Sequence, residues 1–139
     1  MNLEKLKKQL ILHEGWKNKP YKCTAGKTTI GVGRNIDDNG LSDDEIDLLL
    51  NNDIERCILE LNVNLPWWST KPEAAQHVLL DMCFNIGITR LLGFKKTLLL
   101  IYQNKYSDAA SEILKSKWAT QVGQRAINLS KMLNEIKQV

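Results

Sequence analysis

The residues best suited to chemistry lie near the start of the sequence. Glu14 stands in the tripeptide His-Glu-Gly at 13–15, and eight residues separate it from Cys23. Five more residues separate Cys23 from Thr29, within the segment YKCTAGKTTIGVGR at 21–34. An acid, a second group that accepts a proton or attacks carbon, and a hydroxyl that orients water together suit glycoside hydrolysis.

A short helix and a small sheet must bring these three residues together. Leucines at helical spacing predict an amphipathic helix over residues 3–14, ended by Gly15. Glu14 continues the apolar stripe, so we expect it to point inward, where an apolar setting would raise its pKa and suit a general acid. The alternative is a helix-end carboxylate paired with a lysine. Residues 20–34 predict two or three antiparallel strands, and 35–40 a turn or loop.

The remainder of the sequence is helical in pattern. The S-x-x-E capping box at Ser42–Glu45 predicts a helix over about 42–62. Pro72 predicts the start of a central buried helix that ends at Gly87. Shorter helices are predicted at about 89–92, 94–104, 107–115 and 122–136. The fold class is α+β and mostly helical. A single domain over 1–139 would comprise a sheet lobe at about 15–41, a bridging helix at about 42–62, and a helical lobe at about 63–139 that includes the N-terminal helix.

Composition excludes several classes of protein. The chain has 139 residues, of which 43% are hydrophobic and 25% charged, which suits one globular domain with a sizeable core. The longest apolar run, Leu98 to Tyr102, is far shorter than a membrane span. Residues 1–8 are amphipathic and no small-residue cleavage site follows, so we expect no secretory signal. Three cysteines without a CxxC pair and two isolated histidines predict neither a disulfide framework nor a metal site.

The net charge of +3 is unevenly distributed. Residues 36–60 hold nine acidic residues and one basic residue, whereas 71–139 hold ten basic and five acidic ones. A basic second half suits an anionic partner such as nucleic acid, a membrane surface or a cell-wall polymer, and equally an ordinary solvated surface.

The pattern E-G-x5-Y-x-(D/C)-x2-G-x2-T-I-G-x-G, matched over 14–33, resembles the phage-type lysozymes, or endolysins, of glycoside hydrolase family 24. The similarity extends along nearly the whole chain, through DMCFNIG at 81–87, Gly-Phe at 93–94, Ala-Ala at 109–110 and SKWATQVGQRA at 116–126. This resemblance implies a two-lobed lysozyme-like fold. It also implies cleavage of the β-1,4 bond between N-acetylmuramic acid and N-acetylglucosamine in peptidoglycan, without a cofactor or metal.

The resemblance also implies roles for individual residues. Glu14 matches the family's general acid, and Thr29 matches the threonine that helps hold the attacking water. Phe84 and Thr97 match positions that contact saccharide. Asn85, Gln121 and Arg125 match polar residues in or around the family's cleft. For Trp118 and Arg125 we expect a structural role rather than a catalytic one.

Two positions depart from the commonest family pattern. Cys23 stands where aspartate is usual, as in a subfamily that carries cysteine. A thiol working as base, nucleophile or charge stabiliser needs thiolate character, which Lys22, Lys27 or Arg34 could favour by lowering its pKa. The alternative is that Cys23 is a small buried hydrophobe. Arg34 stands where histidine is common, and there a histidine can pair with the catalytic glutamate. We therefore expect Arg34 to hold Glu14 ionised unless burial opposes it, and we place Arg34 among the substrate-binding residues.

Several other residues suit structural roles. Cys57 and Cys83 lie on apolar helix stripes and are expected in the core. His13 and His77 are expected at the surface or in satisfied packing. Trp67 and Trp68 suit a hydrophobic cap between helices better than stacking on sugar rings.

The prediction is a phage or prophage endolysin, with Glu14 as general acid and Cys23 and Thr29 activating water or forming a covalent adduct. We expect a monomer that binds peptidoglycan, without nucleic acid or stable membrane insertion. It would fold in the host cytoplasm and need a holin to reach the periplasm or wall. The alternatives are a catalytically impaired peptidoglycan-binding module of the same fold and a membrane-disrupting antibacterial protein.

Overall fold

A computed structural model of the protein describes residues 1–137. These residues form helices and one three-stranded antiparallel sheet, so the predicted class, α+β and mostly helical, is confirmed. The chain divides into an N-terminal unit, Met1–Leu49, and a C-terminal unit that begins at Leu50. The sequence-based division into lobes, with the first helix in the helical lobe, stays a prediction.

The first helix, α1, covers Leu3–Glu14, as the leucine spacing predicts. The Asn2 side chain accepts a hydrogen bond from the Lys5 N–H at 3.0 Å and so caps the helix start. Gly15, at φ +84°, ends the helix and donates its N–H to the Ile11 carbonyl. The expected burial of the apolar stripe is wrong, because α1 contributes no buried residue and Glu14 itself is exposed.

The sheet consists of β1 (Lys17–Lys22), β2 (Thr28–Gly31) and β3 (Arg34–Asn35), in the order β1-β2-β3. Tyr21 pairs with Thr29 across the first hairpin, and the register is irregular between Lys17 and Tyr21. This irregular part of β1 contains Pro20, which has no backbone N–H to donate. The predicted small antiparallel sheet is confirmed.

Two helices follow the sheet. The expected loop at 35–40 is wrong, because Ile36–Asn39 forms a one-turn helix, α2, whose first turn is capped by the Asn35 side chain. The long helix α3 covers Asp43–Asn64. Its predicted capping box is present: the Glu45 N–H donates to the Ser42 hydroxyl at 3.2 Å, and the Ser42 N–H donates to the Glu45 carboxylate at 2.8 Å.

The C-terminal unit is built from short helices. After a 3-10 turn at Trp68–Thr70 come α4 (Glu73–Ile86), α5 (Ile88–Leu92), α6 (Lys95–Tyr102), α7 (Tyr106–Leu114), α8 (Lys117–Val122) and α9 (Gln124–Asn134). The predicted last helix, at about 122–136, corresponds to α9, whereas α8 was not predicted from the sequence. Gly123, at φ +60°, ends α8 and precedes α9.

The hydrophobic core lies in the C-terminal unit. Leu79, Met82 and Ile101 are fully buried, and α4 supplies five buried residues, as expected for the central helix. Cys57 and Cys83 are also buried, as predicted. Trp68 is buried and donates its indole N–H to Asn62, while Trp67 packs edge-on against Tyr102, so the tryptophans act as packing residues.

No helix among residues 1–137 is long and apolar enough to cross a membrane.

Candidate active site

Cys23 lies in the tight loop that joins β1 to β2. Its N–H donates to the Lys27 carbonyl at 2.9 Å, and its carbonyl accepts from the Gly26 N–H at 2.8 Å. Gly26 adopts φ +78°, a conformation that side-chain-bearing residues rarely take. The loop therefore holds the Cys23 backbone by two hydrogen bonds and leaves its free thiol partly exposed.

Backbone amides, rather than side-chain charges, set the acidity of the Cys23 thiol. Hydrogen bonds from the N–H groups of Lys27 and Ala25 lower the pKa of Cys23, because they stabilise the thiolate. Lysine and arginine charges do not account for the shift, contrary to expectation. Lys22 donates to the Thr28 hydroxyl, Lys27 pairs with Asp38, and Arg34 pairs with Glu45.

Thr29 is the polar neighbour of Cys23. Thr29 is almost fully buried, and its hydroxyl donates to the Lys27 carbonyl at 3.0 Å. The same O–H can donate to the Cys23 sulfur instead, and this alternative hydrogen bond lowers the pKa of the thiol. The pairing of Tyr21 with Thr29 fixes this hydroxyl on β2, next to the loop that carries the sulfur. Cys23 and Thr29 are therefore brought together, as predicted.

Glu14 contacts the same sheet at its other hairpin. Its carboxylate lies directly against the backbone of Gly33, between β2 and β3: a Cβ atom placed on Gly33 would be 2.6 Å from Glu14 Oε2. Within residues 1–137, Glu14 makes no hydrogen bond or ion pair, so the alternative of a carboxylate paired with a lysine finds no support there.

Arg34 does not pair with Glu14, so the expectation that it would hold this carboxylate is wrong. Its guanidinium forms a bidentate ion pair with Glu45, with N–O distances of 2.8 and 2.7 Å, and also donates to the Gly40 carbonyl at 3.1 Å. This pair lowers the pKa of Glu45 to about 2, because the guanidinium hydrogen bonds stabilise the carboxylate. Arg34 thus connects β3 to the first turn of α3.

In the C-terminal unit, Phe84 and Asn85 lie at the exposed end of α4. Phe84 is 42% exposed and lines a groove of about 450 Å³, together with Asp81 and Arg125. Arg125 donates to Asp81 at 2.7 Å. The exposed Asn85 accepts a hydrogen bond from the Trp118 indole at 2.9 Å, so the structural role expected for Trp118 is supported by this bond and by its burial.

Thr97 and Gln121 lie apart from that groove. Thr97 is buried in α6 and lines a smaller hollow of about 180 Å³ that also includes Lys95, Lys96 and Glu112. Gln121 is exposed on α8. Whether Phe84, Asn85, Thr97, Arg34 and Gln121 bind substrate stays a prediction.

Sequence reasoning missed two residues that the structure singles out. The first is Gly33, which contacts Glu14. The glycine pattern of the sequence does not show this contact, because it depends on how the two residues lie in space. Asp81 pairs with Arg125 from 44 residues away, a separation that no local pattern detects. Across residues 1–137, no group of three or more histidine, cysteine, aspartate or glutamate side chains is arranged to hold a metal ion.

Comparison with known proteins places these elements in a family. A family model described as phage lysozyme matches residues 12–135. Two curated proteins of Dictyostelium discoideum, probable T4-type lysozyme 2 and probable T4-type lysozyme 1, are 29% and 25% identical to the chain, and each match covers 87% of the chain and 88% of the relative.

The chain therefore belongs to the phage lysozyme family. It is a lysozyme, a peptidoglycan hydrolase of the muramidase type. The predicted family is confirmed, whereas the assignment to a cysteine-bearing subfamily stays a prediction.

Proposed function

We propose that this lysozyme hydrolyses the β-1,4 bond between N-acetylmuramic acid and N-acetylglucosamine, with Glu14, Cys23 and Thr29 as its catalytic residues. The observation that carries the proposal is that all three residues lie on or against one small sheet. The Glu14 carboxylate contacts the β2–β3 turn, and the Cys23 thiol meets the Thr29 hydroxyl beside the β1–β2 loop.

Glu14 is proposed as the general acid that protonates the leaving glycosidic oxygen. Its carboxylate is exposed at the end of α1 and has no competing partner within residues 1–137. A general acid must reach the oxygen that it protonates, and an unpaired carboxyl at an accessible helix end meets that requirement.

Cys23 is proposed as the second catalytic group. The amides of Lys27 and Ala25 lower the pKa of the thiol, which increases the thiolate fraction near neutral pH. A thiolate could remove a proton from water, with inversion, or attack the anomeric carbon and form a covalent sugar adduct, with retention. The spacing rule that separates these outcomes was established for two carboxylates, so both routes stay open.

Thr29 is proposed to orient the water or the thiol. Its single O–H is shared between the Lys27 carbonyl and the Cys23 sulfur, and its lone pairs can still accept a hydrogen bond from water. We place substrate contacts at Phe84, Asn85, Thr97, Arg34 and Gln121, following the family resemblance.

The decisive experiment analyses digests of purified peptidoglycan by mass spectrometry. The native protein should release muropeptides with a reducing N-acetylmuramic end. Glu14→Gln should release them about 10²- to 10⁴-fold more slowly, as expected for loss of a general acid. Glu4→Gln is the matched control, because Glu4 is exposed on the same helix and pairs only with Lys7. Anhydro-muramic products would contradict hydrolysis and indicate a transglycosylase.

The role of Cys23 needs its own variants. Cys23→Ala should lose most activity, Cys23→Asp should retain part of it, and alkylation should inactivate the native protein. Cys57→Ser serves as the control, because Cys57 is buried in the C-terminal unit. Full activity of Cys23→Ala would contradict a catalytic role for the thiol.

The second candidate function is a catalytically impaired peptidoglycan-binding module, favoured by cysteine at the position of the family's usual aspartate. A pure binder would release no products, and its sedimentation with peptidoglycan would be equal for native protein and Glu14→Gln. A membrane-disrupting protein would instead release dye from wall-free vesicles, and would do so with either residue at position 14.

The proposed biological setting is host lysis by a phage or prophage endolysin. The protein would act as a monomer and pass from the host cytoplasm to the periplasm or wall through a holin-type pore. Expression in bacteria with and without a co-expressed holin tests this: lysis should require both the holin and Glu14.

A further inference from the structure

Gly33 is held against the Glu14 carboxylate. It lies between β2 and β3 at φ +69°. A Cβ atom at this position would lie 2.6 Å from Glu14 Oε2, 3.0 Å from Cδ and 3.2 Å from Cγ. All three distances are shorter than normal van der Waals separations, so the carboxylate occupies the space that any side chain at residue 33 would need.

Gly31 provides an internal comparison. It has the same φ, +69°, yet a Cβ atom placed there would meet nothing within 4 Å. Backbone conformation explains a glycine at both positions, because a positive φ of this size is unfavourable for residues with a Cβ. The contact with Glu14 distinguishes Gly33 from Gly31.

The backbone beside Gly33 is fixed on its C-terminal side. Arg34 pairs with Ile30 in the sheet, and its guanidinium is held by both carboxylate oxygens of Glu45 and by the Gly40 carbonyl. With three side-chain hydrogen bonds and a strand pairing, Arg34 does not easily move. The surface that Gly33 presents to Glu14 is therefore a fixed one.

We propose that Gly33 is a positioning residue, whose bare backbone seats the Glu14 carboxylate for proton donation. The inference rests on the proposed role of Glu14 as the general acid. A methyl group at residue 33 would displace the carboxylate rather than the backbone, because the end of a glutamate side chain moves more easily than an anchored strand. A displacement of about 1 Å can cost about a hundredfold in rate.

The test compares Gly33→Ala with Gly31→Ala, since both glycines have a φ of +69° that is unfavourable for alanine. Muropeptide release is measured per folded molecule, with the folded fraction taken from near-ultraviolet circular dichroism. Sedimentation with purified peptidoglycan reports substrate binding. The ¹³C signal of the Glu14 carboxyl, followed over pH, reports the carboxylate directly and does not depend on activity.

Gly33→Ala should release products about 10- to 100-fold more slowly than Gly31→Ala, with equal sedimentation. The chemical shift of the Glu14 carboxyl should change in Gly33→Ala and match the native protein in Gly31→Ala. Equal rates and equal Glu14 signals in the two variants would overturn the inference. If the native protein released no product, the proposed function would be refuted. The Glu14 carboxyl signal would still show whether Gly33 contacts Glu14.

A third variant covers the case in which Gly33→Ala does not fold. Combining it with Glu14→Ala removes the three atoms nearest to the new methyl group. If the double variant folds, and Gly31→Ala also folds under the same conditions, the contact between residues 14 and 33 is supported. Failure of the double variant to recover would overturn it.

Discussion

The two units of the chain are stabilised in different ways. Among residues 1–49, all of which the structure describes, Thr29 is the one buried residue. The C-terminal unit, by contrast, buries leucines, aromatic residues and alanines from nearly every helix. The unit that carries the proposed catalytic residues is held by hydrogen bonds, turns and ion pairs, whereas the other is held by packing.

This difference indicates how each unit tolerates change. Packing in the C-terminal unit resists the loss of single polar contacts but not the loss of core volume. The N-terminal unit depends on exact backbone geometry at a few points, such as the loop at Cys23 and the turn at Gly33. Substitutions there should affect catalysis more than stability.

The largest expected effect is the difference in alkylation rate between Cys23 in the N-terminal unit and Cys83 in the C-terminal unit. Burial raises the pKa of Cys83 to about 12, whereas backbone amides lower the pKa of Cys23. At neutral pH a larger fraction of Cys23 than of Cys83 is thiolate, and Cys23 is also the more exposed, so its alkylation should be faster by orders of magnitude. Timed iodoacetamide labelling of the folded protein, followed by peptide mapping, measures both rates.

The control for this labelling is Cys23→Ser, which should take up almost no label under native conditions. In denaturant, both remaining thiols, Cys57 and Cys83, should react. Comparable native-state rates at Cys23 and Cys83 would show that the two environments are not distinct.

The next largest effect concerns core volume. Leu79→Ala should lower the free energy of unfolding by about 2–5 kcal/mol, because the Leu79 side chain is fully buried in α4. Leu48→Ala should change it by less than about 0.5 kcal/mol, because Leu48 is 60% exposed in the N-terminal unit. Urea unfolding measures both. A large loss in Leu48→Ala would mean that the apolar residues of the N-terminal unit are covered in solution.

Much of the fold could be predicted from the sequence, because its signals are local. Periodicity located α1 and α4, the capping box located the start of α3, and glycines with β-branched residues located the sheet. The one-turn helix α2 was missed because acidic and amide residues also favour turns. The helix α8 was missed because its six residues are too few to show a helical hydrophobic period.

The candidate site was predicted less completely, because its details depend on contacts in space. Motif spacing correctly brought Cys23 and Thr29 together. It could not reveal that Arg34 pairs with Glu45, or that amides rather than lysines acidify Cys23. Those features arise from where the β1–β2 loop and the first turn of α3 place their atoms.

A buried polar contact in the C-terminal unit should give a smaller effect. The Ser130 hydroxyl is buried in α9 and donates to the Ala110 carbonyl at 3.0 Å. Ser130→Ala should lower the free energy of unfolding by about 0.5–1.5 kcal/mol. The control is Ser111→Ala, at an exposed position on α7, which should be nearly neutral. Equal losses in the two variants, measured by urea unfolding, would argue against a contribution from this bond.

The smallest effect is expected at the Arg34–Glu45 pair, whose side chains are 39% and 38% exposed and therefore partly screened by water. The pKa of Glu45 is about 2 in the folded protein, below its ordinary value of 4.5, so the ionised pair stabilises the fold above pH 4.5. This contribution should disappear as pH falls through about 2, because the carboxylate is then protonated in both states.

Glu45→Gln keeps the shape of the side chain and removes its charge together with one of the two acceptor oxygens. Native protein should therefore be more stable than Glu45→Gln at pH 7, less so at pH 4, and equally stable near pH 2, with the difference at pH 7 reduced by added salt. Glu4→Gln, at an exposed pair on α1, should show little difference at any pH. Thermal unfolding across this range measures the trend. A difference that grows toward low pH would reverse the sign required by the lowered pKa of Glu45, and the ion pair could not then be what anchors β3 to α3.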